Sequence, residues 1–373
     1  MNLHPSRPAI RRKAIVPAAV LALSAVIGLS GCVATTTTSE ATQAPLTKSD
    51  VELVIVIQST TNEYNQQMAE GGKAYAASLG LPLKVIETNG DSQQQLAQIQ
   101  ATIAATTKKV VMTVLPIDAA DVPAVVKAVA SSGGYITTQW NKPADYQPWD
   151  VGPNYVAHLT YDGYSAGYWT GKALFESMGG KGGIIALNGP LGNPVPAQRT
   201  AGLEKALAEY PGITLLGSEN VPNFDQQTAF TDAQTLYTKY GTQINGVWAA
   251  SDSLALGAYS ALDQVGKAST VKFSGMDATQ QALKLMNEGD SYVATYTADG
   301  YYDGAIGLAM AYEAATGGLN VSDLTHDQRD GNYSQVGVDK TNVSQFLAPP
   351  SQDKIMTEIN KGLFDRLLGP EQK

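Results

Sequence analysis

The chain has 373 residues, enough for two compact domains, and its 43% apolar and 16% charged residues fit a globular protein and exclude general disorder. The formal charge is −9, and the basic residues of 1–31 (Arg7, Arg11, Arg12 and Lys13) are matched there by no acid, so the remainder is more acidic still. A phosphate backbone attracts clustered Lys and Arg, so nucleic acid is not an expected partner.

Arg7–Lys13 is a basic stretch, Ala14–Leu29 is mostly apolar, and Leu29-Ser30-Gly31-Cys32 ends the run in small residues. That is the form of a secretory signal peptide, and the apolar part falls short of the ~20 residues that span a bilayer. The cleavage site resembles a bacterial lipobox, in which the cysteine becomes the lipid-bearing first residue. Cys32 is the only cysteine, so no internal disulfide can form. Polar, threonine-rich residues 32–49 read as a flexible tether holding the folded part away from a membrane.

Strands and helices alternate from Asp50 onward. Val51–Ile57 is a β-branched run of the kind buried on both faces of a sheet. A helix over Asn62–Leu79 stops at Gly80 and Pro82; strand Leu83–Glu87, helix Ser92–Thr106, strand Lys109–Leu115, helix Val122–Ser131 and strand Gly134–Thr138 follow. The series then starts again. Helices are expected at Tyr164–Met178, Ala197–Glu209, Gln226–Tyr240, Leu254–Gln264 and Gln280–Asn287, with strands at Gly183–Leu187, Ile213–Val221, Gly246–Ala250, Val271–Ser274 and Tyr292–Thr297. Tyr301–Thr316 is one more long helix, and Ile355–Leu367 looks helical. The fold class is α/β: two doubly wound parallel-sheet lobes with a cleft between their strand ends.

Catalytic motifs are thin. His158 and His326 stand alone without metal-ligand spacing, and neither a GxSxG elbow nor a phosphate-cradling GxxxxGK[ST] occurs. No catalytic residue, metal or cofactor is therefore assigned. Polar groups instead recur after the strands: Asn62 with Tyr64 and Asn65; Gln139, Trp140 and Asn141; Ser251; and Asp277. In a parallel sheet these ends share one edge, where open α/β folds bind ligands. Sugars offer C–H faces to aromatic rings and paired hydroxyls to planar carboxylate, amide and guanidinium groups. The cleft-edge aromatics Tyr64, Trp140 and Phe224 beside such groups point to that chemistry.

The order of segments resembles the type 1 periplasmic binding proteins, the ribose- and galactose-binding branch of the receptors of ABC transporters. The matching pieces are STTNEY at Ser59–Tyr64, Arg199-Thr200-Ala201-Gly202-Leu203, Asn223-Phe224-Asp225, Ser251–Leu262 and Gly275-Met276-Asp277, with Val156–Gly167 resembling the first interlobe crossing. The resemblance implies a lipid-anchored, exported and monomeric receptor, on the outer face of the cell membrane or in the periplasm. It would bind a small carbohydrate and deliver it to an ABC permease. It implies crossings near Thr160–Asp162, Thr297–Gly300 and Gln335–Val338. The lobes would then be 50–160 plus 299–336 and 161–298 plus 337–373. It also makes Asn62, Tyr64, Arg199, Phe224 and Asp277 ligand contacts, with Asp277 and Arg199 clamping hydroxyls and Tyr64 and Phe224 sandwiching the ring; Asp299 completes the set. The sequence departs from the ribose pattern at Leu115, Gln139-Trp140, Ser251 and Ala298. Those changes favour another monosaccharide, an anhydro or deoxy sugar, or a polyol. Two alternatives stand beside this reading: a nucleoside or signal-molecule receptor of the same fold, with Trp140 stacking on a base, and a sugar-acting enzyme using Asp277 as base.

Overall fold

The computed structural model describes residues 44–368. The expected leader 1–31, Cys32 and the tether as far as residue 43 lie outside the described residues.

The first lobe begins β1 (Val51–Ile57), α1 (Glu63–Ser78), β2 (Leu83–Glu87), α2 (Ser92–Ala105), β3 (Lys109–Val114), α3 (Val122–Ser131), β4 (Tyr135–Gln139), the one-turn α4 (Pro148–Val151) and β5 (Tyr155–Thr160). The second lobe contains α5 (Gly163–Ser177), β6 (Gly182–Asn188), α6 (Pro194–Glu209), β7 (Ile213–Asn220), α7 (Gln226–Tyr240), β8 (Ile244–Ala249), α8 (Asp252–Gln264), β9 (Lys272–Ser274), α9 (Gln280–Glu288) and β10 (Tyr292–Tyr296). Then come α10 (Gly300–Thr316), α11 (His326–Arg329), β11 (Asp330–Asn332), β12 (Gly337–Val338) and α12 (Gln352–Lys361).

The sheets run β2-β1-β3-β4-β5-β11 and β7-β6-β8-β9-β10-β12. Every pairing is parallel except β12 against β10. Both lobes therefore have the same order, and in each the first strand lies where the winding reverses, β1 beside β3 and β6 beside β8. Ligand crevices form outside the carboxyl ends of strands at such switch points. Helices cover both faces, which is why β1 reads as an apolar run from Leu53 to Ile57. Side-chain caps start the helices that border the cleft: Asn62 accepts from Asn65 N on α1, and Ser251 from Leu254 N on α8.

Four expectations change in the structure. Tyr155–Thr160 is a fifth strand of the first sheet, paired with β4. Its buried polar residue His158 is satisfied by Thr138 Oγ1, 2.8 Å from Nδ1. The tether ends sooner than expected, because Leu46 N–H donates to Ala315 O at 2.9 Å and so docks the chain on the first lobe. Residues 337–373 also do not all stay with the second lobe. Phe346 and Leu347 pack in its core, but α12 returns to the first, burying Ile355 and Ile359 among α1 and α10. That helix begins earlier than the expected Ile355–Leu367 and stops at Gly362, with Ser351 as its cap.

Glycines let the cleft-side helices nearly touch. A Cβ on Gly304 of α10 would strike the carbonyl oxygen of Met68 on α1, and one on Gly71 that of Tyr301; Gly167 of α5 and Gly202 of α6 repeat the arrangement in the second lobe. Backbone carbonyls cannot move aside as side chains do, so Gly304→Ala is expected to destabilise by about 1–3 kcal/mol. In urea unfolding, a lowered midpoint with unchanged slope is the expected result.

Candidate functional site

A cavity lies between the lobes at the strand ends, about 450 Å³ with the open space of its mouth included. Asn62, Tyr64, Asn65, Trp140 and Asn141 line it from the first lobe, and Arg199, Phe224, Ser251 and Asp277 from the second. Gln58, Leu115, Val195 and Pro196 complete the wall. Gln58 donates its N–H to Asn65 Oδ1 (3.1 Å), and Val195 and Pro196 lie one turn before Arg199 on α6, close enough for that motif to have flagged them.

Arg199 is 3% exposed. Its Nη1 donates to Ala250 O at 2.5 Å, and its Nη2 lies 3.5 Å from Asp277 Oδ1. The guanidinium carbon sits 4.8 Å from the centre of the Trp140 ring and 5.9 Å from that of Phe224. Its Nε, fully buried, meets no protein acceptor. Burial pushes the guanidinium below its ordinary pKa, against the pull of Asp277. Burial likewise raises Asp277, and Arg199 opposes that rise. Trp140, Phe224, Asp277 and Ala278 all have positive φ (66°, 51°, 106° and 50°). Left-handed backbone at non-glycine residues costs of order 1–3 kcal/mol each and gathers at ligand sites.

The polar ends of two wall residues are spoken for. Trp140 Nε1–H donates to Tyr64 Oη at 2.6 Å, and Tyr64 O–H donates to Asp303 Oδ2 at 2.6 Å. The two rings meet edge to face. Tyr64 and Phe224 share the wall with Trp140 and Arg199. Asn141 Nδ2 donates to Pro116 O, and Asn62 Nδ2 crosses the cleft to Ser253 Oγ at 3.0 Å.

Two expected site residues lie elsewhere. Gln139, the last residue of β4, points away from the cleft toward α10, its Nε2 donating to Asp303 O at 3.2 Å, where Gly307 leaves room. Neighbouring strand residues face opposite ways, and Trp140 takes the cleft side. Asp299 lines a neighbouring cavity that shares only Asp277 with the first, and lies 3.4 Å from Arg366. Two further residues, unmarked in the sequence, bridge the lobes. Asn193 accepts from Ala119 N and donates to Ile117 O, and Glu63 accepts from Gln280 N at the start of α9. Among the described residues no group of three His, Cys, Asp or Glu side chains is placed to hold a metal, and no helix is long and apolar enough to cross a membrane.

The pattern of the periplasmic binding protein domain matches residues 53–319. The chain belongs to the periplasmic binding protein family. Within it, the xylitol-binding protein of Mycolicibacterium smegmatis is 27% identical over 346 residues, 92% of this chain and 90% of its own. A twin-arginine translocation pathway signal protein from Burkholderia phytofirmans is 38% identical; its crystal structure superposes with a TM-score of 0.81, covering 86% of this chain and 98% of that one. An ABC transporter solute binding protein from Bacillus halodurans C-125 with bound myo-inositol is 25% identical, with a TM-score of 0.66 over 80% and 98%. The periplasmic binding protein fold accounts for the two lobes and the three crossings after β5, β10 and β11.

Buried acids around this site tie stability to pH. Burial lifts Asp252 to about 7, although Tyr292, Thr279 and Thr295 donate to it, and lifts Asp303 to about 7 despite Tyr161 and Tyr64. In the unfolded chain such acids ionise near 3.9. Between those values the folded state holds more protons, so their contribution is complete below the unfolded value and is lost as pH rises through about 7. The expected result in scanning calorimetry is a transition temperature that falls from about pH 5.5 to about pH 8. A rise across that window contradicts the assignment.

Proposed function

We propose that this chain is the substrate-binding component of an ABC importer, taking a small neutral carbohydrate or polyol between its lobes and presenting it to a permease. The observation that carries this reading is the buried Arg199–Asp277 pair at the base of an interlobe cavity, with Arg199 Nε lacking an acceptor among the protein atoms. A ligand hydroxyl beside that pair accepts from the guanidinium and donates to the carboxylate, closing both accounts at once. A neutral ligand adds no charge to this buried pair.

The first lobe supports a polyol over ribose. Leu115 is apolar, Gln139 is turned inward, and Tyr64 and Trp140 bond to each other. Hydrogen bonding from that side is left to the amides of Asn62, Asn65 and Asn141. The relatives named for xylitol and bound to myo-inositol point the same way. The nucleoside alternative loses its main support, because Arg199 and Tyr161 both pack on the Trp140 ring where a base would stack. For the enzyme alternative, the cavity's lining residues include no histidine. The relative named for xylitol and the one with bound myo-inositol are both named as binding proteins.

Titration calorimetry with xylitol, myo-inositol, ribose, glucose and adenosine tests the reading. At least one polyol or sugar is expected to bind, and Asp277→Asn to weaken it by about a hundredfold or more. Binding of adenosine alone, or undiminished affinity in Asp277→Asn, rejects it.

The chain is further read as an exported monomer anchored by lipid on Cys32. Cys32→Ala is then expected to move it from the membrane fraction to the soluble one. Retention with membranes removes the anchor from the proposal.

A further inference from the structure

Asp303 lies on the first turn of α10, 1% exposed and outside the cavity wall, and nothing in the ligand contacts requires an acid there. Its surroundings do. Oδ2 accepts from Tyr64 O–H at 2.6 Å and Oδ1 from Tyr161 O–H at 2.7 Å. Each tyrosine oxygen in turn accepts from a group that can only donate: the indole Nε1–H of Trp140 at 2.6 Å for Tyr64, and the backbone N–H of Asp299 at 3.0 Å for Tyr161. The direction of every bond is therefore fixed. Both hydroxyl protons must run inward to Asp303, and only a side chain with two accepting oxygens receives both.

The chain of bonds joins the pocket to the hinge. Tyr161 begins the first crossing and packs 4.8 Å from Trp140 and 5.1 Å from Tyr333, which begins the third. Asp299 belongs to the second crossing. One carboxylate thus sets the rotamers of a pocket wall and of the segments about which the lobes turn.

We propose that Asp303 is a positioning residue that determines specificity. By drawing the Tyr64 hydroxyl and, through it, the Trp140 indole N–H away from the ligand, it turns both rings into carbon surfaces and couples them to the hinge. Ligand discrimination then rests on Asn62, Asn65, Asn141, Arg199 and Asp277. This inference rests on reading the interlobe cavity as the ligand site. The two donating hydroxyls and Arg366 oppose the rise that burial, the larger effect, and Asp299 impose on the acid. An amide in its place would present an N–H to a hydroxyl that already receives one.

The test follows the Trp140 indole resonance, assigned through Trp140→Phe, in ligand-free protein, together with calorimetry against xylitol, myo-inositol and ribose. In Asp303→Asn the resonance is expected to shift and to exchange faster with water. Affinity for the preferred compound is expected to fall about tenfold, with weaker discrimination among the three. Tyr75→Phe is the control, since it removes a tyrosine–carboxylate bond, that to Glu313, from the same helix α1 away from the cleft. It should leave both readouts in place. An unmoved resonance with unchanged affinity in folded Asp303→Asn, or an equal shift in Tyr75→Phe, overturns the proposal. Should Asp303→Asn fail to fold, Tyr64→Phe removes both bonds of the hydroxyl that joins Trp140 to Asp303, and affinity and discrimination among the three compounds then decide, unchanged values overturning the proposal. If none of the compounds binds the wild-type protein, the functional reading fails while the indole resonance still decides the positioning role.

Discussion

Arg199 carries a guanidinium, which keeps its charge at any ordinary pH, to a place where 3% of the residue meets solvent. A buried charge needs partners, and the surrounding segments are shaped to supply them. The strand β8 ends so that Ala250 aims its carbonyl at Nη1. The turn after β9 passes through left-handed backbone at Asp277 and Ala278 to bring a carboxylate to Nη2. The first lobe sets no charged partner on the guanidinium but lays Trp140 against the cation. Behind that turn, buried Asp252 accepts from Thr279 N, Thr279 Oγ1, Thr295 Oγ1 and Tyr292 O–H, which fixes the loop to β10 and keeps Asp277 in register. The strain in the loop is thus balanced by a network whose members never reach the cavity.

Much of this was legible in the chain. Alternating strands and helices with polar groups after the strands disclosed the two sheets, and the common edge brought Asn62, Tyr64, Trp140, Asn141, Arg199, Phe224, Ser251 and Asp277 to one cavity. What stayed hidden depended on direction and on distant contacts. Gln139 and Trp140 adjoin in sequence, and nothing local says which faces the cleft; the gap left by Gly307 on α10 decides it. Asp299 sits at a strand end like Asp277, yet its partner Arg366 lies on the far side of the hinge, at the end of the chain. Asn193 and Glu63 read as ordinary helix-terminus residues until the opposite lobe supplies Ala119, Ile117 and Gln280.

The end of the chain adds a constraint that three crossings alone would not impose. After β12 the chain packs Phe346 in the second lobe, then recrosses to lay α12 on α1 and α10. It continues along the hinge, where Ser334 N–H donates to Arg366 O and Leu368 N–H to Asn332 O, each at 2.8 Å. Arg366 also packs 4.1 Å from the Tyr302 ring centre. The last crossing strand is thereby held from both sides. Any opening of the lobes must be absorbed by the short stretches at 161–162, 297–299, 333–336 and 347–351, the usual way in which hinges concentrate a large change in a few residues.

Charge joins these features. Asp252, Asp277 and Asp303 are all buried, and the repulsion of Asp252 and Asp303 adds to the burial that raises Asp277, while Arg199 alone among the nearby groups opposes it. A ligand carboxylate would bring a fourth acid into this field and can only accept hydrogen bonds. A hydroxyl adds no charge and can donate or accept, so it satisfies Asp277 whether that acid holds its proton or has lost it. The same hydroxyl can receive the unmatched Nε–H of Arg199. Neutral, hydroxyl-rich ligands therefore suit this cleft for an electrostatic reason as well as a steric one, and the ring carbons that Tyr64 and Trp140 still present to the cavity are what remains for their C–H surfaces.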